Sequence, residues 1–334
     1  MILVTGGAGY IGSHTVIDLA NNGYDVLILD NLDNASPRAV ESIRKVTNKD
    51  IPFVQIDLCD AQALQNVFKE YKIDGIIHFA AHKSVNESVL LPLKYFKNNL
   101  IGLINLLEMV EKYQVKNFIF SSSCSVYGNT SELPVTEDTA LSPPECPYAR
   151  TKIMGEEILR DISLHADTHF IALRYFNPAG AHPSGLLGES ALNTATNLVP
   201  VICETGAGLR ESMTVFGTDY PTRDGSCIRD FIHVMDLAHA HTLALRYASN
   251  HQQDNFSIFN LGIGAGVTVL EAIHAFEHTS GQKLNYILGP RRDGDVVEIY
   301  ADYTKAKQLL GWTPQHDIQS IMDTAWRWQL NKLY

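Results

Sequence analysis

The sequence predicts an α/β fold: a doubly wound parallel sheet followed by a smaller C-terminal α/β domain that binds substrate. Six short apolar runs in the first half alternate with stretches of helical spacing. The runs are unbroken, which is typical of parallel strands covered by helices on both faces. A glycine-rich turn directly follows the first run, as it does in sheets that bind nucleotides.

The elements follow one another as a series of strand, crossover and strand. The predicted strands are residues 2–5, 26–29, 53–56, 76–79, 118–121 and 170–174. A helix is predicted over residues 13–21, and apolar residues at helical spacing from Leu100 to Val110 predict a crossover helix. Right-handed crossovers of this kind build a doubly wound sheet.

The alternation of elements loosens after Arg174, where prolines and glycines crowd residues 178–188. We therefore expect a first domain over residues 1–176 and a second over 177–334. A helical segment near 236–247 and an apolar run at 256–261 are expected to return to the first domain.

Composition narrows the class of protein. The chain has 334 residues, 45% of them hydrophobic and 19% charged, which is an ordinary globular balance. A formal net charge of −11 argues against nucleic acid as a partner. The sequence has neither an apolar run of about 18 residues nor a leader-like start, and its five cysteines are scattered. We expect a cytoplasmic protein without a membrane span or a structural metal.

The glycine-rich turn reads Thr5-Gly6-Gly7-Ala8-Gly9-Tyr10-Ile11-Gly12. Between a strand and a helix, Gly6 permits a tight turn, Gly9 lets the backbone approach a pyrophosphate, and Gly12 allows close packing. Asp30 closes the second strand, where a carboxylate binds ribose hydroxyls and repels the extra phosphate of NADP. The turn predicts NAD as the cofactor; the alternative is an ordinary turn with Asp30 capping a loop.

Three further residues form a candidate catalytic set. Tyr148 and Lys152 lie four residues apart in a helix that Pro147 opens, so their side chains share one face. A nearby ammonium and a positive nicotinamide ring both favour the ionised phenol, which can then exchange a proton with a substrate hydroxyl. Ser123, just after a predicted strand, can bond the same oxygen. The alternative is a chance Tyr–Lys pair.

With these motifs, the chain resembles the extended short-chain dehydrogenases and, within them, the UDP-glucose 4-epimerase family. The resemblance runs essentially from end to end. The motifs that carry it, besides the glycine turn and the Tyr148–Lys152 pair, are His78-Phe79-Ala80-Ala81, Ser121-Ser122-Ser123 with Val126-Tyr127-Gly128, Arg174-Tyr175-Phe176-Asn177-Pro178, Arg229-Asp230-Phe231-Ile232-His233-Val234 and Arg291-Arg292-Asp293-Gly294-Asp295.

The resemblance implies an NAD-binding Rossmann domain, a UDP-sugar-binding domain and an isomerase of carbohydrate metabolism. In that family, tightly held NAD takes a hydride from sugar C4 while the tyrosine takes the hydroxyl proton. The 4-keto intermediate rotates and receives the hydride on its other face, which interconverts UDP-glucose and UDP-galactose. Family members commonly form homodimers through the helices around residues 98–111 and 148–162.

The resemblance also implies two sets of binding residues. The expected cofactor contacts are Gly6, Gly9, Tyr10, Ile11, Gly12, Asp30, Asn31, Asn34, Asp57, Leu58, Phe79, Ala80, Ala81, Lys83, Asn98, Ser121, Tyr148, Lys152 and Tyr175. The expected substrate contacts are Lys83, Ser123, Tyr148, Asn177, Asn197, Leu198, Phe216, Arg229, Arg292, Asp295 and Ile299. Alternatively, Arg229 and Arg292 form surface ion pairs with Asp230 or Asp293, and the cofactor residues serve strand-end packing or helix capping.

Two positions bear on the choice of substrate. In the family, an aromatic residue at position 299 accompanies plain hexoses and a small one accompanies 2-N-acetyl sugars; Ile299 is neither, and we expect it to leave room for an N-acetyl group. Cys124 and Ser125 stand where related 4,6-dehydratases carry an Asp–Glu pair. Two alternatives stay open: an epimerase of another UDP-sugar, such as UDP-glucuronate or UDP-xylose, and a nucleotide sensor without chemistry.

Overall fold

The computed structural model describes residues 1–190, 195–250, 255–292 and 295–332. Its strands are β1 (Ile2–Thr5), β2 (Val26–Asp30), β3 (Phe53–Gln55), β4 (Gly75–His78), β5 (Asn117–Ser123), β6 (His169–Tyr175), β7 (Asn177–Ala179), β8 (Met213–Phe216), β9 (Ile228–Arg229), β10 (Phe231–His233), β11 (Phe256–Leu261), β12 (Val267–Thr268), β13 (Tyr286–Gly289) and β14 (Glu298–Ile299). Its α-helices are α1 (Tyr10–Asn21), α2 (Pro37–Thr47), α3 (Ala61–Glu70), α4 (Val85–Leu90), α5 (Pro92–Phe96), α6 (Gly102–Tyr113), α7 (Pro147–Ser163), α8 (Leu198–Gly206), α9 (Val234–Asn250), α10 (Val269–Ser280) and α11 (Ile318–Lys332). A 3₁₀ turn covers Cys124–Tyr127, and π-helical turns cover Lys97–Ile101 and Ala306–Leu310.

The central sheet is parallel and has seven strands in the order β11-β6-β5-β4-β1-β2-β3. This confirms the predicted fold class and all six predicted strands, with ends that move by one or two residues. The largest change is in β5, which continues to Ser123 because its ladder with β6 extends to the pair Ser123↔Tyr175. Pairing with a neighbour, which local composition does not encode, sets that end.

The strand order changes direction beside β1. The chain adds β2 and β3 on one side of β1, and then β4, β5 and β6 on the other. The loops after β1 and β4 therefore diverge and leave a crevice at the carboxyl edge of the sheet, where open parallel sheets bind their ligands.

Two apolar cores cover the two faces of this sheet. Val4 packs with Val16 of α1 and Leu237 of α9 in one core, whereas the adjacent Leu3 packs with Leu106 of α6 and Leu159 of α7 in the other. Successive strand residues point to opposite faces, so an unbroken apolar run satisfies both layers. The continuous apolar strands of the sequence have this cause.

The remaining elements form a third core. It lies among α8, α10 and α11, where Val199, Ile202, Phe276 and Ile321 are buried together. In contrast, α9 packs on α1, and β11 pairs with β6 along its whole length. A division at residues 176 and 177, with the segments near 236–247 and 256–261 returning to the first domain, remains our proposal. Residues 251–254 lie outside the described residues.

Within the described ranges, no helix combines the length and the apolar character that a membrane crossing requires.

Candidate active site

Most of the expected cofactor residues lie just beyond the carboxyl ends of the sheet strands. The glycine turn follows β1, Asn31 and Asn34 follow β2, and Asp57 and Leu58 follow β3. Phe79, Ala80, Ala81 and Lys83 follow β4, and Ser121, Ser123 and Tyr175 lie at the ends of β5 and β6. Because all seven strands are parallel, these positions share one edge.

The glycine turn brings two chain segments too close for side chains. Gly6 has φ +67°, and a Cβ there would lie 2.7 Å from the backbone nitrogen of Ala80. A Cβ on Gly12 would lie 2.9 Å from Gly7 Cα and closer still to the carbonyl oxygen of Gly6. Helix α1 begins at Tyr10, three residues earlier than predicted, and its N-cap residue Gly9 has no side chain that caps it. The first N–H groups of α1 are therefore oriented as an anion site requires.

Asp30 joins the second strand to this turn. Its buried carboxylate accepts the N–H of Ala8 at 3.0 Å and the N–H of Leu32 at 2.9 Å. Burial raises the pKa of Asp30, while these backbone donors lower it. A carboxylate has about four acceptor sites, so two backbone bonds leave capacity for ribose hydroxyls. The two interpretations of Asp30, loop capping and ribose binding, are thus compatible.

Several other expected cofactor residues also have structural contacts. Asp57 accepts the N–H of Cys59 at 2.8 Å, and the carbonyl of Leu58 accepts the amide of Asn105 at 2.8 Å. The Cys59 thiol lies 4.0 Å from the carbonyl oxygen of Asn98, which places Asn98 beside the loop after β3. These residues therefore have the structural contacts that the alternative interpretation, packing or capping, expects. Such contacts do not prevent the same residues from also binding a ligand.

The candidate catalytic residues come from two elements that pack together. Ser123 ends β5, and Tyr148 lies in the first turn of α7, which Pro147 opens as predicted. Lys152 is 4% exposed. Its Nζ donates to the carbonyl of Ser121 at 2.5 Å and lies 5.8 Å from the centre of the Tyr148 ring.

The electrostatics of this set differ from the sequence-based expectation. Burial raises the pKa of Tyr148 to about 12, and a hydrogen bond with Ser123 opposes that rise. Burial also lowers the pKa of Lys152 to about 8, against the field of Glu156. In the chain alone, desolvation therefore outweighs the lowering of the Tyr148 pKa that we expected from the ammonium. The second positive charge that we expected to lower the Tyr148 pKa is that of the nicotinamide ring, which belongs to the cofactor and not to the chain.

Tyr175 of β6 pairs in register with Ser123, so the two side chains lie on the same face of the sheet. Its hydroxyl shares a short hydrogen bond with the Ser121 hydroxyl, and Ser121 also holds Lys152 through its carbonyl. Ser121 thus connects Lys152 and Tyr175 through hydrogen bonds, two residues before Ser123 on β5.

Four expected substrate residues meet on a second surface. Arg292 donates to Asp295 Oδ1 at 2.6 Å, and Arg229 lies 3.9 Å from the same oxygen. The Arg292 guanidinium also stacks 5.5 Å from the Phe216 ring centre. Both arginines thus pair with Asp295, whereas the Asp230 carboxylate is bonded to the backbone of Ala301, Ile263 and Gly264. Asp293, the other alternative partner, lies outside the described residues.

Ile299 connects this arginine surface to the catalytic strand end. It pairs in register with Arg229 and is 5% exposed. Its side chain belongs to a cluster with Val126, Tyr127 and Phe176, against which Cys124 packs.

Asn177 also carries an unused polar atom. Its Oδ1 is buried without a hydrogen-bond partner among the described residues. Such atoms usually find a partner, so a ligand N–H or O–H fits this position.

Glu189 contacts two of the expected site residues, although no sequence pattern predicts it. Its carboxylate accepts the Asn197 amide at 2.7 Å and the Lys83 ammonium at 3.3 Å. Asn197 is the N-cap residue of α8, yet its side chain does not cap the helix because its amide is turned toward Glu189. No spacing rule relates position 189 to 83 and 197, so local sequence patterns held no signal for it.

No group of three or more histidine, cysteine or acidic side chains suited to a metal ion occurs in the part of the chain that the structure describes.

Comparisons with known proteins agree with this geometry. The family model described as GDP-mannose 4,6 dehydratase matches residues 3–325. The chain is 47% identical over 329 residues to the UDP-glucose 4-epimerase of Bacillus subtilis, covering 98% of this chain and 96% of that protein.

Two solved structures are similar over their whole length. One is UDP-glucose 4-epimerase from Stenotrophomonas maltophila with bound NAD and formylated UDP-arabinopyranose: its TM-score is 0.97 and its identity 43%, covering 99% of this chain and 98% of that one. The other is the UDP-Glc/GlcNAc 4-epimerase of Campylobacter jejuni, with a TM-score of 0.86 and 40% identity, covering 99% of both chains.

Proposed function

Because the chain belongs to the UDP-glucose 4-epimerases, within the wider family of the GDP-mannose 4,6 dehydratase model, we propose that it interconverts UDP-glucose and UDP-galactose with NAD as cofactor. The observation that carries the proposal is that Ser123, Tyr148 and Lys152 lie at the sheet edge that also bears the glycine turn, with Lys152 Nζ 5.8 Å from the centre of the Tyr148 ring and held by the carbonyl of Ser121.

The proton at the sugar C4 hydroxyl is handled by Tyr148. Ser123 donates to or accepts from the same oxygen and so orients the hydroxyl toward the phenol. Lys152 is fixed by the Ser121 carbonyl, which keeps its positive charge near the Tyr148 ring and stabilises a tyrosinate there. Desolvation by itself leaves far too little tyrosinate at neutral pH, so the proton transfer depends on these positive charges.

The chain's own groups suit NAD. The turn of Gly6, Gly9 and Gly12 and the uncapped start of α1 would hold its pyrophosphate, and Asp30 would hold its adenosine ribose. When bound, NAD would supply, through its nicotinamide ring, reversible hydride acceptance at sugar C4. Lys152 and Tyr148 lie on the same sheet edge and would orient that ring toward the sugar.

The UDP group would be held by the second surface. Arg229 and Arg292 share Asp295, and this carboxylate aligns both guanidinium groups for the diphosphate oxygens. Phe216 is exposed beside Arg292 and offers a ring face to the base. The UDP would thus be anchored away from Tyr148, so the keto sugar is free to turn.

The rival functions have weaker support. Burial raises the pKa of the Cys124 thiol to about 12, so it is a poor acid or base for the dehydration that an Asp–Glu pair performs. A sensor without chemistry does not require Tyr148 and Lys152 in contact. Relatives and similar structures named for UDP-glucose favour the glucose pair over UDP-glucuronate, and a relative from Pisum sativum that is named for UDP-xylose is named for UDP-glucose as well.

The test is to incubate the purified chain with UDP-galactose, without added NAD, and to separate the nucleotide sugars by anion-exchange chromatography. UDP-glucose in the product confirms the activity and shows that the cofactor is retained through purification. If UDP-glucose is absent even after NAD is supplied, the proposal fails.

We further propose that N-acetylated UDP-sugars are also substrates. The aliphatic Ile299 side chain belongs to a buried cluster with Phe176, against which Cys124 packs, and a larger aromatic ring at this position would need additional space. We expect UDP-N-acetylglucosamine to react in the same assay, and Ile299→Tyr to lose that activity while keeping most activity on UDP-galactose. A wild-type chain that turns over only the plain hexose contradicts this proposal.

We also propose a homodimer formed through α6 and α7. Ile101 and Ile104 are 40% and 44% exposed on this side of the molecule, as expected for side chains that a partner covers. Ile104→Asp should yield monomers in light scattering after size exclusion. The control Leu209→Asp changes a leucine that is 57% exposed after α8, and it should leave the mass unchanged. A wild-type monomer contradicts the proposal.

A cytoplasmic location is proposed on the cysteines. All five are free, which is typical of a reducing compartment.

A further inference from the structure

A buried polar row crosses three neighbouring strands behind the candidate catalytic residues. Ser122 of β5, Arg174 of β6 and Asn260 of β11 are paired in register, and all three are buried. Residues paired in register point to the same face of a sheet. The row therefore faces a single helix layer, the layer that contains α7.

Glu156 of α7 meets this row. Its carboxylate accepts Arg174 Nε at 2.9 Å and Arg174 Nη2 at 2.6 Å, and it also accepts the Ser122 hydroxyl in a short hydrogen bond. Arg174 Nη1 donates to Tyr127 at 3.0 Å, and Tyr127 donates to Asn260 at 2.6 Å. A buried ion pair is tolerated only with such complete bonding, so the geometry of this group is tightly defined.

The position of Glu156 relates it to the catalytic residues. Glu156 follows Lys152 by four residues and Tyr148 by eight, so the three side chains lie along one face of α7. Ser122, its partner on β5, lies between Ser121, which holds Lys152, and Ser123. One carboxylate thus connects the helix that carries Tyr148 and Lys152 to the strand end that carries Ser123.

We propose that Glu156 is a positioning residue of the active site: its carboxylate fixes α7 against the ends of β5 and β6 and keeps Lys152 in the ammonium form. This inference rests on the roles proposed for Ser123, Tyr148 and Lys152.

The groups around Lys152 agree with this role. His78 and Tyr175 are buried and neutral near pH 7, because burial lowers the pKa of His78 to about 3 and raises that of Tyr175. Tyr148 is neutral for the same reason. Burial draws the pKa of Lys152 down, and the charge of Glu156 acts against it. Arg174 donates to the same carboxylate at 2.6 Å, so its positive charge opposes that effect.

The test is a direct titration of Lys152 in protein labelled with ¹³C at lysine Cε and supplied with NAD, with Lys152→Met used to assign the signal. In Glu156→Gln the titration midpoint should fall by about one pH unit, because the carboxylate that favours the ammonium is gone. Glu156→Asp keeps the negative charge, so the titration midpoint of Lys152 should stay close to the wild-type value. Glu157→Gln, an exposed neighbour on the same helix, should leave it unchanged.

The kinetic readout separates positioning from simple loss of structure. In Glu156→Gln, kcat for UDP-galactose should fall by about 10²-fold with KM within a few-fold, as expected for a small misplacement of reacting groups. The alkaline limb of kcat should move to lower pH by the same interval as the Lys152 midpoint. A merely structural role would lower the amount of folded protein and would move neither the Lys152 midpoint nor the alkaline limb of kcat.

An unchanged Lys152 midpoint in Glu156→Gln overturns the inference. If that variant does not fold, Glu156→Gln/Arg174→Gln removes both charges and leaves no unpaired ion; the midpoint should still fall, by a smaller amount. A wild-type chain that does not epimerise UDP-galactose refutes the proposed function instead, and the Lys152 midpoint still decides the electrostatic role of Glu156.

Discussion

At the scale of single residues, the site depends on what burial does to a phenol and an ammonium that lie side by side. Tyr148 and Lys152 are four residues apart, and this spacing predicted that their side chains share one face of the helix. It did not predict that both pKa values move toward the neutral forms, to about 12 and about 8. Desolvation acts on every ionisable group that is covered, whatever the spacing.

Tyr148→Phe removes only the hydroxyl that exchanges the proton. We expect kcat for UDP-galactose to fall by about 10²–10⁴-fold, the usual contribution of a positioned acid–base group. The melting temperature and the NAD content should stay near wild type, since the ring and its packing remain. Tyr113→Phe, at the far end of α6, should leave kcat unchanged. Turnover near wild type in Tyr148→Phe would rule out the role of the phenol.

At the scale of elements, helix α1 is held against the glycine turn without any intervening side chain. A Cβ on Gly12 would lie closer than 3 Å to the backbone of both Gly6 and Gly7, and backbone atoms cannot rotate away. A Cβ on Gly9 would lie 3.1 Å from the carbonyl oxygen of Gly6, which needs only a small shift.

Gly12→Ala should therefore destabilise the fold by about 1–3 kcal/mol, the usual effect of overpacking, and release NAD. Gly9→Ala should keep most of the stability and lose NAD, because its methyl group occupies the approach of the pyrophosphate. Urea unfolding measures the first effect, and NAD released from acid-precipitated protein measures the second. Equal stability of the two variants would contradict this account of α1.

At the scale of the whole molecule, burial of several histidines makes the fold sensitive to acid. Burial lowers the pKa of His14 and His241 to about 4 and that of His78 and His233 to about 3. In the unfolded chain these groups bind protons near pH 6.5. The unfolded chain therefore binds more protons as the pH falls from about 6.5 to about 4, and the free energy of unfolding falls through that window. Burial raises the pKa of Asp230 to about 6 and also raises the pKa of Asp30 and Glu137, and these carboxyl groups act in the opposite direction.

Urea unfolding between pH 7.5 and 5 should show this loss of stability. His241→Phe should make the loss shallower by about 1.4 kcal/mol per pH unit below pH 6, since one proton fewer is taken up. The substitution keeps an aromatic ring against Phe79 and loses one hydrogen bond, from Nδ1 of His241 to the carbonyl of Leu237, whereas Nε2 has no partner among the described residues. The exposed His278→Gln should keep the wild-type slope, and an equally steep slope in His241→Phe would contradict the prediction.

The sequence alone determined features that depend on near neighbours in the chain. Unbroken apolar runs implied strands with two covered faces, and the turn of Gly6, Gly9 and Gly12 implied a tight approach of strand, turn and helix. The pair Tyr148 and Lys152 was visible because four residues are one helical turn. The same spacing rule places Glu156 one helical turn after Lys152 on the same face. It says nothing of Arg174, the partner of Glu156, which lies on another element.

Only the tertiary structure decided which distant groups meet. It brought Arg229 to Asp295, Lys83 to Glu189, and Ser122 and Arg174 onto Glu156. Strand register and helix packing bring these residues together across long stretches of chain, which no local period encodes. The pKa shifts belong to the same class, because desolvation is set by all the elements that cover a side chain at once.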